Sequence, residues 1–469
     1  MLLDLANELI CSVAEHLSDR DVNALARTNK FVWSLLDPYL YHRNVHLYRY
    51  SEEVPHGPPS LAWAATHGRE TTARKALDTY SKTPRSSRIT GPPLVLAAKH
   101  KHEGVVRAFV DFGMVDMRTT DFYSVDNKSP YPGKYTPLHW AAYHGSEAII
   151  KMLLESEGGG GDPDPKDEWG KTPFWEAALH GHLPIVQLLL ESYDVDVDSM
   201  DRSHVTPLIA AAQTGHDAIV RLLLKSGRVN ANAREIGGNT ALTFAAGRGH
   251  DAVVNALLEL APDLDINSRN VHGRTPLFQS VSRGREGTLS ILLQRDEVDA
   301  NIADAYGRTP LLCAANDERE AIVKLLVESG KVDNNSKDRW GATALCIAVQ
   351  GGNTGIAKVL LESDKTQAEL ADETGRTLLS WATSYGQIDM ISLLLESGKA
   401  DANSKDSDGR TPLSYAAQHP DPHIVELLLR SGKVDVAMAD NEGRTPLSWA
   451  EGHDVITGIL LKAGKAVAG

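Results

Sequence analysis

Eighteen histidines, three cysteines and a glycine run beside acidic residues are where this 469-residue chain could carry chemistry. The run Gly158 to Gly161, followed by Asp162-Pro163-Asp164-Pro165, has the glycines of a phosphate-cradling loop. It lacks the Gly-Lys-Ser/Thr ending that supplies a cation and a metal ligand. As a calcium loop it fails too, because Asp162-x-Asp164 leads into Lys166 and Asp167 and not into a further acidic residue and a turn glycine. It reads as a flexible loop between structural units. The histidines occupy recurring slots. His182, His216 and His250 each follow a glycine, and His139 stands where Ser380, Ser414 and Ser448 stand elsewhere. Repetition of this kind indicates packing or hydrogen bonding, since a catalytic group is needed once, in an irregular place. We expect no catalytic residue, no metal site, no cofactor and no enzyme activity.

The composition bounds the remaining classes. Cys11, Cys313 and Cys346 are too few and too scattered for a disulfide framework, which points to a reducing compartment, cytoplasmic or nuclear. Cys313 and Cys346 fall in the first helices of neighbouring repeats and read as packing residues. A net charge of −14 argues against a nucleic-acid partner. The stretch from Met1 to Leu17 is apolar but lacks a basic start and is interrupted by Asp4, Glu8 and Glu15, so it does not read as a signal peptide. No apolar run is long enough to span a membrane, and no membrane partner is expected.

Threonine recurs at 136, 172, 206, 240, 275, 309, 343, 377, 411 and 445, at intervals of 36, 34, 34, 35, 34, 34, 34, 34 and 34. A period in this range marks a stacked repeat array. In Thr309-Pro310-Leu311 and Thr411-Pro412-Leu413 the threonine can cap a helix and the proline suits its first turn. Paired alanines such as Ala141-Ala142, Ala211-Ala212 and Ala416-Ala417 allow close helix approach, and Gly145, Gly181, Gly215 and Gly249 end the short helix. A second helix follows, as in Ile219-Val220-Arg221-Leu222-Leu223-Leu224. Asp-x-x-Gly, as in Asp304 to Gly307, Asp338 to Gly341 and Asp440 to Gly443, supplies the tight turn of a finger. One unit cannot bury its own apolar face, so the units must stack.

This wording resembles the ankyrin repeat, with His139 completing the family's T-P-L-H at Thr136. The resemblance implies an all-α solenoid of helix-turn-helix units with β-hairpin fingers. Two degenerate repeats occupy 51–135, opening near Pro59 and Pro92, with an insertion near 116–134. Ten more occupy 136–469, the last truncated. Asn232, Asn301 and Asn403 precede the fingers, in a region where some ankyrin asparagines are hydroxylated.

Residues 1–50 do not repeat and read as three short helices. Leu5-Ala6-Asn7-Glu8-Leu9-Ile10, Leu17-Ser18, Asp21 to Leu25, then Trp33 and Leu36 resemble an F-box, with Ala6 where that family usually has proline. The resemblance implies docking to the linker subunit of a cullin–RING ubiquitin ligase, and through it to the cullin. The face would comprise Leu5, Glu8, Leu9, Val13, Leu17, Val22, Leu25, Trp33 and Leu36. The alternative is a helical cap on the first repeat.

In an ankyrin-like stack the finger tips and first helices line the side used to bind proteins. Tyr143, Trp169, Tyr306, Arg339 and Trp340 are the candidates, because Trp, Tyr and Arg dominate binding hot spots. The expected function is a monomeric substrate-recruiting adaptor, residues 1–50 holding the ligase and the array holding an unknown client. The alternative is a scaffold protein with no ligase role. The order, F-box first and a long ankyrin array after it, is similar to that of certain fungal proteins.

Overall fold

Thr136 Oγ1 accepts the backbone N–H of His139, closing the first turn of the helix Pro137–His144. Thr172, Thr206, Thr240, Thr275, Thr309, Thr343, Thr377 and Thr411 make the same bond to the residue three positions on. Each satisfies a donor that the first turn leaves orphaned, worth about 1 kcal/mol. Gly145, Gly181, Gly215 and Gly249, at φ of 76°, 78°, 85° and 80°, then turn the chain out of the helix in the left-handed region. The second helix buries one face: in Asp217–Lys225, Ile219, Val220, Leu223 and Leu224 point inward.

The computed structural model describes residues 59–81, 93–113, 119–120, 134–155, 162–368, 371 and 374–468. The expected helical domain at 1–50 lies outside them, as does nearly all of the expected insertion near 116–134. The chain divides into two compact units, 1–230 and 231–469. The described part of the first holds ten helices, from Pro59–His67 to Asp217–Lys225; the second holds fourteen, from Ala241–Arg248 to Asp454–Ala468. Within each unit, first helices pack on the first helices of the next pair, and second helices on second. Ala141, Ala142, Ala211, Ala212, Ala416 and Ala417 are fully buried at these contacts, where a larger side chain would hold the helices apart. Among the described residues no helix is long and apolar enough to cross a membrane.

Two expectations are corrected. Among the described residues the fingers contain no strand. Asp304 and Arg308 share one backbone bond at 2.9 Å and Gly307 closes the turn on Asp304 at 3.0 Å, after which the chain leaves for the next cap, so no ladder develops. Of the expected flexible loop, 158–161 lies outside the described residues and 162–165 is not loose. Asp164 Oδ2 accepts the N–H of Asp196 at 2.7 Å, which ties it to the following repeat. Asp198 does the same with Asn230 at 2.8 Å. In the second unit Asn232, Asn267, Asn301, Asn335 and Asn403 add a donor, each bridging two backbone groups of the next repeat.

Candidate protein-interaction surface

The finger turn sets where a tip side chain points. Asp304 Oδ1 accepts the N–H groups of Tyr306 and Arg308 at 2.9 and 3.0 Å. Asp338 holds Trp340 and Ala342 the same way. With the carboxylate occupied inside the turn, the residue two positions on faces outward. Tyr306 is 49% exposed and Trp340 64%. The Arg339 guanidinium lies 4.1 Å from the Trp340 ring centre and 5.7 Å from that of Tyr306, so three of the expected site residues come together in the second unit. In the first unit Trp169 is 46% exposed, with Arg202 stacked 5.9 Å away. Tyr143 is half-buried, its ring 4.4 Å from His180 and 5.6 Å from Trp140, so it is more a wall of an aromatic cluster than a free contact. The residues of the expected F-box face, Leu5 to Leu36, lie outside the described residues.

Two further tips escaped the sequence reading. Ile236 and Val271 are 63% and 65% exposed. Their turns are built on Glu235 and Asn270 in place of aspartate, so the Asp-x-x-Gly pattern misses them. Counting back from the cap threonines would have found these fingers, although Ile236 and Val271 directly follow their turn residue whereas Tyr306 and Trp340 stand one position further on.

A second row runs along the first helices of the second unit. Arg376 stacks on Trp381 at 4.0 Å and Tyr415 at 4.5 Å; Arg410 stacks on Trp449 at 4.1 Å and Arg444 on the same ring at 4.0 Å. The Tyr415 hydroxyl donates to Asp406 at 2.5 Å, and burial together with that carboxylate pushes it up to about 12. The arginines are held flat by the rings, and their N–H groups act in plane: Arg444 pairs with Asp440 at 2.9 Å and Glu442 at 2.8 Å, and Arg376 donates to the Ser384 hydroxyl at 2.8 Å. Between Trp340 and Trp381 lies a cavity of about 320 Å³, walled by Cys346, Val349 and Leu378 and bordered by Lys337 and Arg376. Cys346 is thus partly buried at a cavity wall, whereas Cys313 is packed as expected.

The first unit holds a different polar centre. Glu176 is 1% exposed, and it accepts the Tyr135 hydroxyl at 2.6 Å with His180 and Lys171 at 3.3 and 3.5 Å. Burial alone would raise its carboxyl, but the bonds from His180 and Tyr135 and the Lys171 ammonium bring it below the usual range. The recurring histidines are structural. His102, His182 and His216 each donate Nε2–H to a carbonyl of the preceding repeat, at 3.1, 2.9 and 3.1 Å. Among the described residues no group of three or more His, Cys, Asp or Glu is arranged to hold a metal ion.

No curated protein matches the chain. The family described as ankyrin repeats (3 copies) matches it over 61–167, 94–201, 159–235, 175–270, 228–304, 259–338, 322–406 and 397–467, which together run unbroken from 61 to 467. With its capped first helices, left-handed glycines and carboxylate-held fingers, the chain belongs to the ankyrin-repeat family.

Proposed function

We propose that this chain, a protein-interaction module by its family, recruits a client protein to a cullin–RING ubiquitin ligase of the SCF type. Residues 1–50 dock on the linker subunit, and the array holds the client. Function then comes from keeping two partners at high effective concentration. The chain performs no chemistry of its own, ubiquitin transfer belonging to other subunits, and its place is the cytoplasm or nucleus. The observation that carries the client-binding half is the set of large side chains left in water at the finger tips, Trp169 and Trp340 above all. Scattered apolar surface residues are ordinary; Tyr306 and Trp340 at the same turn position of two successive fingers, with Arg339 stacked on both rings, are a surface with a use. The ligase half rests on the spacing of Leu5, Leu9, Leu17, Leu25 and Trp33.

A pull-down separates the halves. Full-length protein should recover the linker subunit and cullin, a chain lacking residues 1–50 should not, and Leu9→Ala or Leu17→Ala should weaken recovery with the array still folded. Failure of the full-length protein to recover either subunit leaves an ankyrin scaffold without a ligase role.

A further inference from the structure

We propose that the finger side of the second unit, from Ile236 to the cavity between Trp340 and Trp381, binds an acidic linear segment that inserts one large apolar side chain. This rests on the array being the client-binding half and is independent of whether residues 1–50 dock on a ligase.

The apolar component is continuous and then stops. Ile236, Val271, Tyr306 and Trp340 occupy four successive tips, all about half-exposed or more. The fingers that follow carry Thr374, Ser407-Asp408 and Asn441-Glu442. The fingers also touch: Val271 N–H donates to the Gly237 carbonyl at 2.9 Å and Ala305 N–H to that of His272 at 2.8 Å. With neighbouring repeats roughly 8–10 Å apart, four tips spread over about 25–30 Å. An extended segment of about eight or nine residues covers that length. The row ends at Trp340, where the cavity opens; its volume of about 320 Å³ is at the small end for ligand pockets and suits a single aromatic or leucine-sized group.

Charge selects the segment's character. The chain carries −14, yet the fingers 234–239, 269–274, 303–308 and 337–342 hold six cations against three carboxylates. Those three, Glu235, Asp304 and Asp338, are turned inward onto the N–H groups of their own turns. Arg308 is matched by Asp304 at 2.9 Å, whereas Lys337 and Arg339 are exposed beside Trp340, and Arg376 borders the cavity. A basic segment would bring like charges together there. A nucleic acid would meet apolar tips with nothing to pair and a strongly acidic chain beyond them. A carboxylate-rich segment with an apolar anchor satisfies both components.

The test uses the full-length chain and a fluorescent peptide of alternating Asp and Glu with one central Phe. Two control peptides replace the Phe with Ser or the acids with Lys. Anisotropy should show the acidic Phe peptide binding in a salt-sensitive way, with both controls at least about tenfold weaker. In the chain, Trp340→Ala and Lys337→Glu should each weaken that peptide about tenfold or more at an unchanged melting temperature; both side chains are exposed, so folding is not at stake. No binding of the acidic peptide, equal binding of the Lys peptide, unaltered affinity in both variants, or tighter binding of single-stranded polyuridylate would each overturn the proposal. Recovery of the linker subunit by the unaltered full-length chain is scored separately. Its absence with peptide binding intact sinks only the ligase reading, and the reverse sinks only this one.

Discussion

His182 lies across Gly145. A Cβ on that glycine would sit 2.6 Å from the ring's Nδ1, and the same ring donates Nε2–H to the Tyr143 carbonyl at 2.9 Å. The glycine therefore meets two demands, a left-handed turn and the close approach of the next repeat. Gly113, at φ 60°, meets only the first, with no described residue within 4 Å of its Cβ position. Gly113→Ala should cost the left-handed penalty of about 1–2 kcal/mol. Gly145→Ala should cost more, because the histidine must also be displaced. Urea unfolding of the two variants compares them; equal losses would mean that the ring yields freely.

The same pair shows what could be read from residues and what could not. Glycine-then-histidine repeats visibly, and its repetition already argues for packing. The carbonyl that each ring seeks lies in the preceding repeat and has no sequence mark. Thr309-Pro310-Leu311 names a cap, a first turn and a buried leucine because all three roles are local. Ile236 and Val271 were hidden because Glu235 and Asn270 do the work of aspartate with different side chains. Glu176 was hidden because one of its partners, Tyr135, sits 41 residues earlier. The Arg376, Trp381 and Tyr415 row arises only when neighbouring repeats are stacked.

Core and bridge should separate in magnitude. Leu311 is 1% exposed, so Leu311→Ala should cost about 2–5 kcal/mol. Asn301 is exposed and bridges two backbone groups, its Nδ2–H donating to the Lys331 carbonyl at 2.9 Å and its Oδ1 accepting the Asp333 N–H at 2.7 Å. Water can replace both bonds, so Asn301→Ala should cost only about 0.5–1.5 kcal/mol. Asn301→Asp, which copies Asp164 and Asp198 of the first unit, should cost less than alanine because the acceptor remains. Chemical denaturation of the variants ranks them; a neutral Leu311→Ala would remove that residue from the core.

Acid should loosen the first unit through His139 and Glu176. His139 is buried, its Nε2–H donates to the Lys171 carbonyl at 3.0 Å, and Nδ1 accepts from Thr136, so the ring is held neutral. Burial brings it down to about 4. An unfolded histidine titrates near 6.5, so between these values the unfolded chain binds more protons and stability declines as pH falls. The full effect is about 3 kcal/mol, an upper figure for one group. Glu176, also below its usual range, contributes stability that is lost as its carboxylate is protonated, so the signs agree. His139→Gln should flatten the dependence between about pH 6.5 and 4 and leave the more acidic part. Fluorescence of Trp140 and Trp175 during urea unfolding follows this. An unchanged slope in the variant would show that the histidine is not the titrating group.

Cys313 and Cys346 sit in the first helices of neighbouring repeats, four and three residues after their cap threonines, and should react differently. Cys313 is buried, and burial together with the Asp317 carboxylate pushes its thiol up to about 11, so at neutral pH almost no thiolate forms. Cys346 borders the cavity between Trp340 and Trp381 and accepts the Thr343 hydroxyl at 3.2 Å. A maleimide added at neutral pH should modify Cys346 well before Cys313, read by mass spectrometry of the digested protein, which also keeps Cys11 distinct. The acidic Phe peptide should slow that modification, because its anchor fills the space the reagent must enter. Conversely, a chain modified at Cys346 should bind the peptide at least about tenfold more weakly, as expected when a central pocket is blocked. Equal labelling of the two cysteines would mean that the cavity is closed in solution, and labelling indifferent to the peptide would place the anchor elsewhere.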